Sequence, residues 1–240
     1  MLDWESEEVR SREVRLFPTV RISSDREAEL RATAALCAMI KSVDEFGQAA
    51  VRMAKGPAGT ISCYTEVSFK MDTPEQPVFR PDAVIRVVRG KTDWRALVEV
   101  KVGDNMLKED QVSAYQALVK QEGFDALITI SNEAALADGL PPVNLDRRRL
   151  RSAPVFHMSW DRLLSEAQML SGKRKVKDED QRWLLEEWVK YVADTSSRII
   201  SEPSLGEHWT EVLQAAREDR LQAIGPKLIG TLDLWDGYLR

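Results

Sequence analysis

Hydrophobic and polar positions change period several times along the chain. From Ser24 to about residue 54 the apolar residues return at helical spacing. "SDRE" (24–27) gives this helix a start, with Ser24 as N-cap and Glu27 at N3 of a capping box, and "KGPAGT" (55–60) stops it. "TISCYTEVSFKM" (60–71) predicts one strand, ended by "DTPEQP". "RPDAVIRVVRGKTDWRALVEVKVG" (80–103) predicts a hairpin that turns at Gly90 and Lys91. "NMLKEDQVSAYQALVKQEG" (105–123) predicts a helix with Met106, Val112, Tyr115, Leu118 and Val119 on its apolar side. Short strands are expected over 124–131 and 153–160, with the basic segment "PPVNLDRRRLRS" between them irregular. After residue 160 three amphipathic helices follow, "WDRLLSEAQML", "DEDQRWLLEEWVKYVAD" and "GEHWTEVLQAAREDRLQAIG". Residues 1–22 read as an arm or a short edge element. The order is helix, three strands, helix, strand, strand, then helices. It implies a mixed α/β domain over 1–160 with a helical extension over 161–240.

The hairpin raises a chemical question. With the turn at Gly90–Lys91, cross-strand partners have numbers that sum to 181. Ala83, Ile85 and Val87 then face Val98, Ala96 and Trp94 and form one apolar side. The other side sets Asp82 directly opposite Glu99. Two opposed carboxylates repel each other, and a divalent cation between them removes that cost. Lys101, two residues beyond Glu99, shares that side and can orient a water or meet charge developing on a phosphoryl group.

Other residues narrow the picture. Glu29 falls on the same helix side as Leu36, Ile40 and Val43, where a carboxylate needs a partner; Glu27 is accounted for by capping. Glu66 stands beside Tyr64 and Ser68 with no assigned role. Gln111 and Tyr115, four apart, share a helix side. Cys37 and Cys63 read as reduced core residues, His157 and His208 as structural, and Trp183 and Trp188 as packing residues. The net charge of −5 argues against a non-specific nucleic-acid coat but not against an enzyme with a local cationic rim. The best rim candidates are Arg147, Arg148, Arg149 and Arg151, and "KRK" at 173–175. No stretch is apolar enough to span a bilayer and no signal peptide is evident, so a cytoplasmic protein is expected.

"PD" at 81–82 followed by "EVK" at 99–101 resembles the PD-(D/E)xK, or restriction-endonuclease-like, nuclease superfamily. "QVSAY" (111–115) is similar to the Q-x-x-x-Y motif of its RecB-like branch. The resemblance covers roughly residues 25–131 and implies a core of helix, three strands, helix and strand. It implies Mg²⁺ or Mn²⁺ held by Asp82, Glu99 and the Val100 carbonyl, with Lys101 as the catalytic lysine. Gln111 would lie near the phosphate with Tyr115 steadying it, and Glu29 would be the added acid of the first helix. The expected activity is Mg²⁺-dependent hydrolysis of DNA, in defence or repair. The rival expectation is an inactive nuclease-like fold that binds protein or nucleic acid. In either case the helices after residue 160 are available to a protein partner.

Overall fold

The fold is taken from a computed structural model, which describes residues 15–18, 22–70, 78–135, 142–173, 175–200 and 215. The third amphipathic segment (206–225, apart from Ala215), His208 and most of the N-terminal arm lie outside these residues. The chain is a mixed α/β fold around an open five-stranded sheet. Helix α1 (Asp25–Ser42) and α2 (Asp44–Met53) lead into β1 (Thr60–Thr65). After the two-residue strands β2 (Phe69–Lys70) and β3 (Val78–Phe79) come β4 (Ala83–Arg89) and β5 (Thr92–Val100). Then follow α3 (Glu109–Gln121), β6 (Ala126–Ser131), α4 (Arg147–Ser152), β7 (Val155–Ser159), α5 (Trp160–Gly172) and α6 (Glu179–Ala193).

The sheet order is β1-β4-β5-β6-β7, while β2 and β3 pair separately. β1–β4 and β4–β5 pair antiparallel, and β5–β6 and β6–β7 pair parallel. The hairpin register is the expected one: Ala83 pairs with Val98, Ile85 with Ala96 and Val87 with Trp94. Gly90 turns it with φ +59, a backbone state that needs no Cβ. Both sheet faces are covered. Ala83, Ile85, Val87, Ala96 and Val98 pack under α1, α2, α5 and α6, while Val84 and Leu97 pack under α3. Leu163, Leu185 and Trp188 of the helices after residue 160 belong to the first of these cores. No described helix is long and apolar enough to cross a membrane.

Several expectations are corrected. The first helix is two helices, broken at Val43, whose backbone is extended. Gln181 of α6 accepts the Asp44 N–H at 3.0 Å, so the second start is capped from across the fold. α2 then folds back so closely that a Cβ on Gly47 would sit 2.1 Å from the Ile40 carbonyl oxygen. The strand expected over 60–71 is interrupted at Glu66, which has φ +58. The basic segment is not irregular throughout: Asp146 accepts the Arg148 N–H at 2.9 Å and starts α4. Met106 precedes α3 and is exposed rather than part of its apolar side. Trp188 is fully buried as expected, but Trp183 is 52% exposed.

Candidate active site

β4 begins where β5 ends, and the N-terminal halves of α1 and α3 reach the same end of the sheet. A cleft of about 710 Å³ opens there. Glu29, Asp82, Glu99, Lys101, Gln111 and Tyr115 all line it. The sequence spreads these six over 87 positions, from 29 to 115, and the fold gathers them.

Asp82 immediately precedes the last β4–β5 pair. Its Oδ2 accepts the Val100 N–H at 2.7 Å, so the side chain takes over where the ladder stops. Glu99 is 2% exposed. Its Oε1 accepts from Lys101 Nζ at 2.7 Å and from Gln111 Nε2 at 2.5 Å. Lys101 Nζ also donates to the Val100 carbonyl at 3.1 Å and lies 3.6 Å from Glu29 Oε2. Gln111 is therefore held on Glu99. Tyr115 donates its hydroxyl to the Arg80 carbonyl at 3.1 Å, fixing the backbone that leads into Pro81 and Asp82.

Burial decides the charge state. It pushes Glu99 up to about 7, and the neighbouring Asp82 carboxylate adds to the effect. Burial also raises Asp82 and Glu29, against the Val100 N–H at the first and the Lys101 ammonium at both. Burial alone would lower Lys101, but Glu99, Glu29 and Asp82 outweigh it and hold the ammonium above its ordinary range. Burial raises the Tyr115 hydroxyl, which stays neutral. Three carboxyl groups thus share one ammonium.

Two glutamates of α1 separate cleanly. Glu27 accepts from the Ser23 N–H at 2.9 Å and hydroxyl at 2.8 Å and pairs with Arg31, while Ser24 Oγ accepts the Glu27 N–H. The cap is real, but the carboxylate reaches Ser23 rather than the N-cap N–H of a regular capping box. Glu29 faces the cleft.

Sequence reasoning missed the supporting residues. Asn105 donates to Glu29 Oε1 at 3.1 Å. Trp160, at the start of α5, donates its indole N–H to the Lys101 carbonyl at 2.8 Å. Neither position has a local signal, because each partner is distant in sequence. Of the expected basic rim, Arg148, Arg149, Arg151, Lys173 and Lys175 do not line the cleft, and the Arg147 side chain and Arg174 lie outside the described residues; Arg26 and Arg80 line the cleft, both exposed. Glu66 also lines it, in its left-handed conformation. His157 is structural. The Glu133 carbonyl can only accept, so Nε2 donates to it at 2.8 Å and Nδ1 accepts from Thr129. Cys37 and Cys63 are free, and their thiols hydrogen-bond across the contact of α1 with β1.

The donor set suits a hard divalent cation. Asp82 and Glu99 supply carboxylate oxygens, Val100 supplies a carbonyl, and the cluster carries an excess of acid. Among the described residues, no three His, Cys, Asp or Glu side chains group as a ready-made metal cage. A cation here would have two acidic ligands and keep water, as Mg²⁺ commonly does. No family model, curated protein or solved structure matches this chain.

Proposed function

We propose that the chain is a metal-dependent deoxyribonuclease with a restriction-endonuclease-like core, hydrolysing phosphodiester bonds in DNA. The observation that carries this reading is the convergence of Asp82, Glu99, Lys101, Gln111 and Glu29 in one cleft. The order of α1, antiparallel β1-β4-β5, α3 and parallel β6 also supports it, because that is the core the sequence motifs imply. Asp82, Glu99 and the Val100 carbonyl would hold Mg²⁺ or Mn²⁺. Such an ion supplies Lewis-acid polarisation of a phosphoryl oxygen and a water of lowered pKa.

The chain's own groups do the rest. Lys101 places the attacking water and meets negative charge that grows on the phosphoryl oxygens. Glu29, held by Asn105, keeps the ammonium in the cleft. Gln111 fixes the Glu99 carboxylate through one strong hydrogen bond. Arg26 and Arg80 offer guanidinium groups to flanking phosphates, a local cationic rim on an acidic protein. A second reading, a nuclease-like fold that only binds nucleic acid or protein, is favoured by one observation. Lys101 donates to both Glu99 and the Val100 carbonyl, so these acceptors are met from within the chain.

A cleavage assay separates the two. Linear, nicked, single-stranded and branched DNA, and RNA, are incubated with Mg²⁺, with Mn²⁺ and with chelator. Product is expected from DNA only with metal, and Asp82→Ala is expected to remove it. Absence of metal-dependent product on every substrate leaves the binding module as the reading.

The two glutamates of α1 give an internal control. Glu29→Gln is expected to lower turnover by at least about tenfold, because the partner of Lys101 loses its charge, with the melting temperature unchanged or raised. Glu27→Gln is expected to keep native turnover and to lower the melting temperature slightly, because its carboxylate contacts to Ser23 and Arg31 weaken. Parallel rates and melts decide it; inactivity of Glu27→Gln would place the reactive side of α1 elsewhere.

A further inference from the structure

We infer that Lys101 is the resident counter-ion of the carboxylate pair, and that a divalent cation enters by displacing its ammonium rather than by binding beside it. The inference rests on the nuclease reading of the cleft. Two of the three groups suited to the cation are already engaged by Lys101: Glu99 Oε1 at 2.7 Å and the Val100 carbonyl at 3.1 Å. A donated N–H points at the lone pair that a metal ion would use. Two cations sharing one oxygen would repel at a separation where Coulomb energies are large, and burial weakens screening between them. Gln111 occupies the same Oε1, so no spare lone pair of that oxygen is readily free.

The ammonium has somewhere to go. Glu29 Oε2 lies 3.6 Å from Nζ, and Asn105 holds that carboxylate in place from its other oxygen. The lysine stem is long and flexible, so a shift from Glu99 to Glu29 needs only rotamer changes. The same movement would carry the ammonium from the carboxylate floor toward the open cleft, where a phosphate would lie. Lys101 would then have two stations, one for the metal-free cleft and one for the loaded cleft.

Calorimetric titration with Mn²⁺ at pH 8 tests this on the native protein, Lys101→Met and Arg80→Gln. Arg80 also lines the cleft and is exposed, whereas Lys101 sits on the carboxylates, so the loss of Arg80 reports the general field alone. Lys101→Met is expected to bind Mn²⁺ at least about tenfold more tightly than native, and Arg80→Gln to change affinity less than about twofold. Equal or weaker binding by Lys101→Met, or equal gains in both variants, overturns the inference and leaves the nuclease reading standing. No Mn²⁺ binding by native protein or by either variant overturns both. A second measurement needs no variant. Mn²⁺ is expected to raise acetylation of native Lys101 by acetic anhydride several-fold, read by peptide mass spectrometry. Unchanged or reduced labelling in protein that binds Mn²⁺ overturns the displacement.

Discussion

At pH 8, without divalent cation, Glu99→Gln is expected to melt about 3–8 °C above the native protein while losing metal-dependent cleavage by at least about a hundredfold. The two effects have one cause. Glu99 is buried beside Asp82, and burial with that neighbour raises it to about 7. A carboxyl group whose folded value is raised adds stability below its ordinary value of 4.5, and that stability is lost as pH rises through about 7. At pH 8 the native protein therefore holds an ionised pair that it would shed if it could. A glutamine at 99 keeps an oxygen for Lys101 and Gln111 and offers an N–H to Asp82. Lys101 retains Glu29 and Asp82 as compensating charges, so the ammonium is not orphaned. Asp82 and Glu29 are shifted in the same direction as Glu99 and persist in the variant. His157 works in the opposite sense. Burial lowers it, so its contribution is lost only as pH falls below its ordinary 6.5. Between pH 8.5 and 6.5 the native melting temperature is thus expected to rise, and that of Glu99→Gln to rise less. Thermal melts in chelator at the two pH values, paired with cleavage rates, read both effects. A variant less stable than native at pH 8 would show that ionised Glu99 stabilises the fold through Lys101.

The hairpin was legible because two independent constraints agree. Apolar residues at every second position, 83, 85 and 87 opposite 98, 96 and 94, assign one side, and Gly90 fixes the turn, so Asp82 and Glu99 meet at the open end. Glu29 was legible from helical phase alone, since a carboxylate on a stripe with Leu36 and Ile40 has to find a partner. What was not legible depends on contacts between distant segments. Val43 breaks the first helix without glycine or proline, because Gln181 caps the next one from α6. Glu66 ends β1 in a left-handed conformation that a non-glycine residue adopts at some energetic cost, and nothing in "YTEVS" announces it. Asn105 looks like any loop asparagine until the fold sets it against Glu29. The cationic residues that line the cleft were hidden for a related reason. A run of arginines is conspicuous in sequence, whereas Arg26 and Arg80 are isolated in sequence and come to line one cleft only in the fold.

Trp160→Ala is expected to destabilise the protein by about 3–5 kcal/mol, the range for removing a buried tryptophan, lowering the melting temperature by about 6–20 °C. The side chain is fully buried, in the core shared by α1, α2, α5 and α6. Trp160→Phe is the more informative change. It keeps most of the ring contact and removes one hydrogen bond, the indole N–H to the Lys101 carbonyl at 2.8 Å. That carbonyl lies just past the end of β5, where strand pairing has stopped. The Lys101 N–H is still held by the Ile130 carbonyl at 2.7 Å, so the indole and β6 together pin both sides of the residue. Losing one pin leaves a buried acceptor unpaired, at about 1–3 kcal/mol, and frees the peptide that aims the ammonium. Cleavage by Trp160→Phe, measured well below its melting temperature, is therefore expected to fall at least about fivefold. Metal-free melts and rates on the same preparations separate packing from positioning. A Trp160→Phe protein that loses stability yet cleaves at the native rate would confine the indole to a structural role, with Lys101 aimed by Glu29 and Glu99 alone.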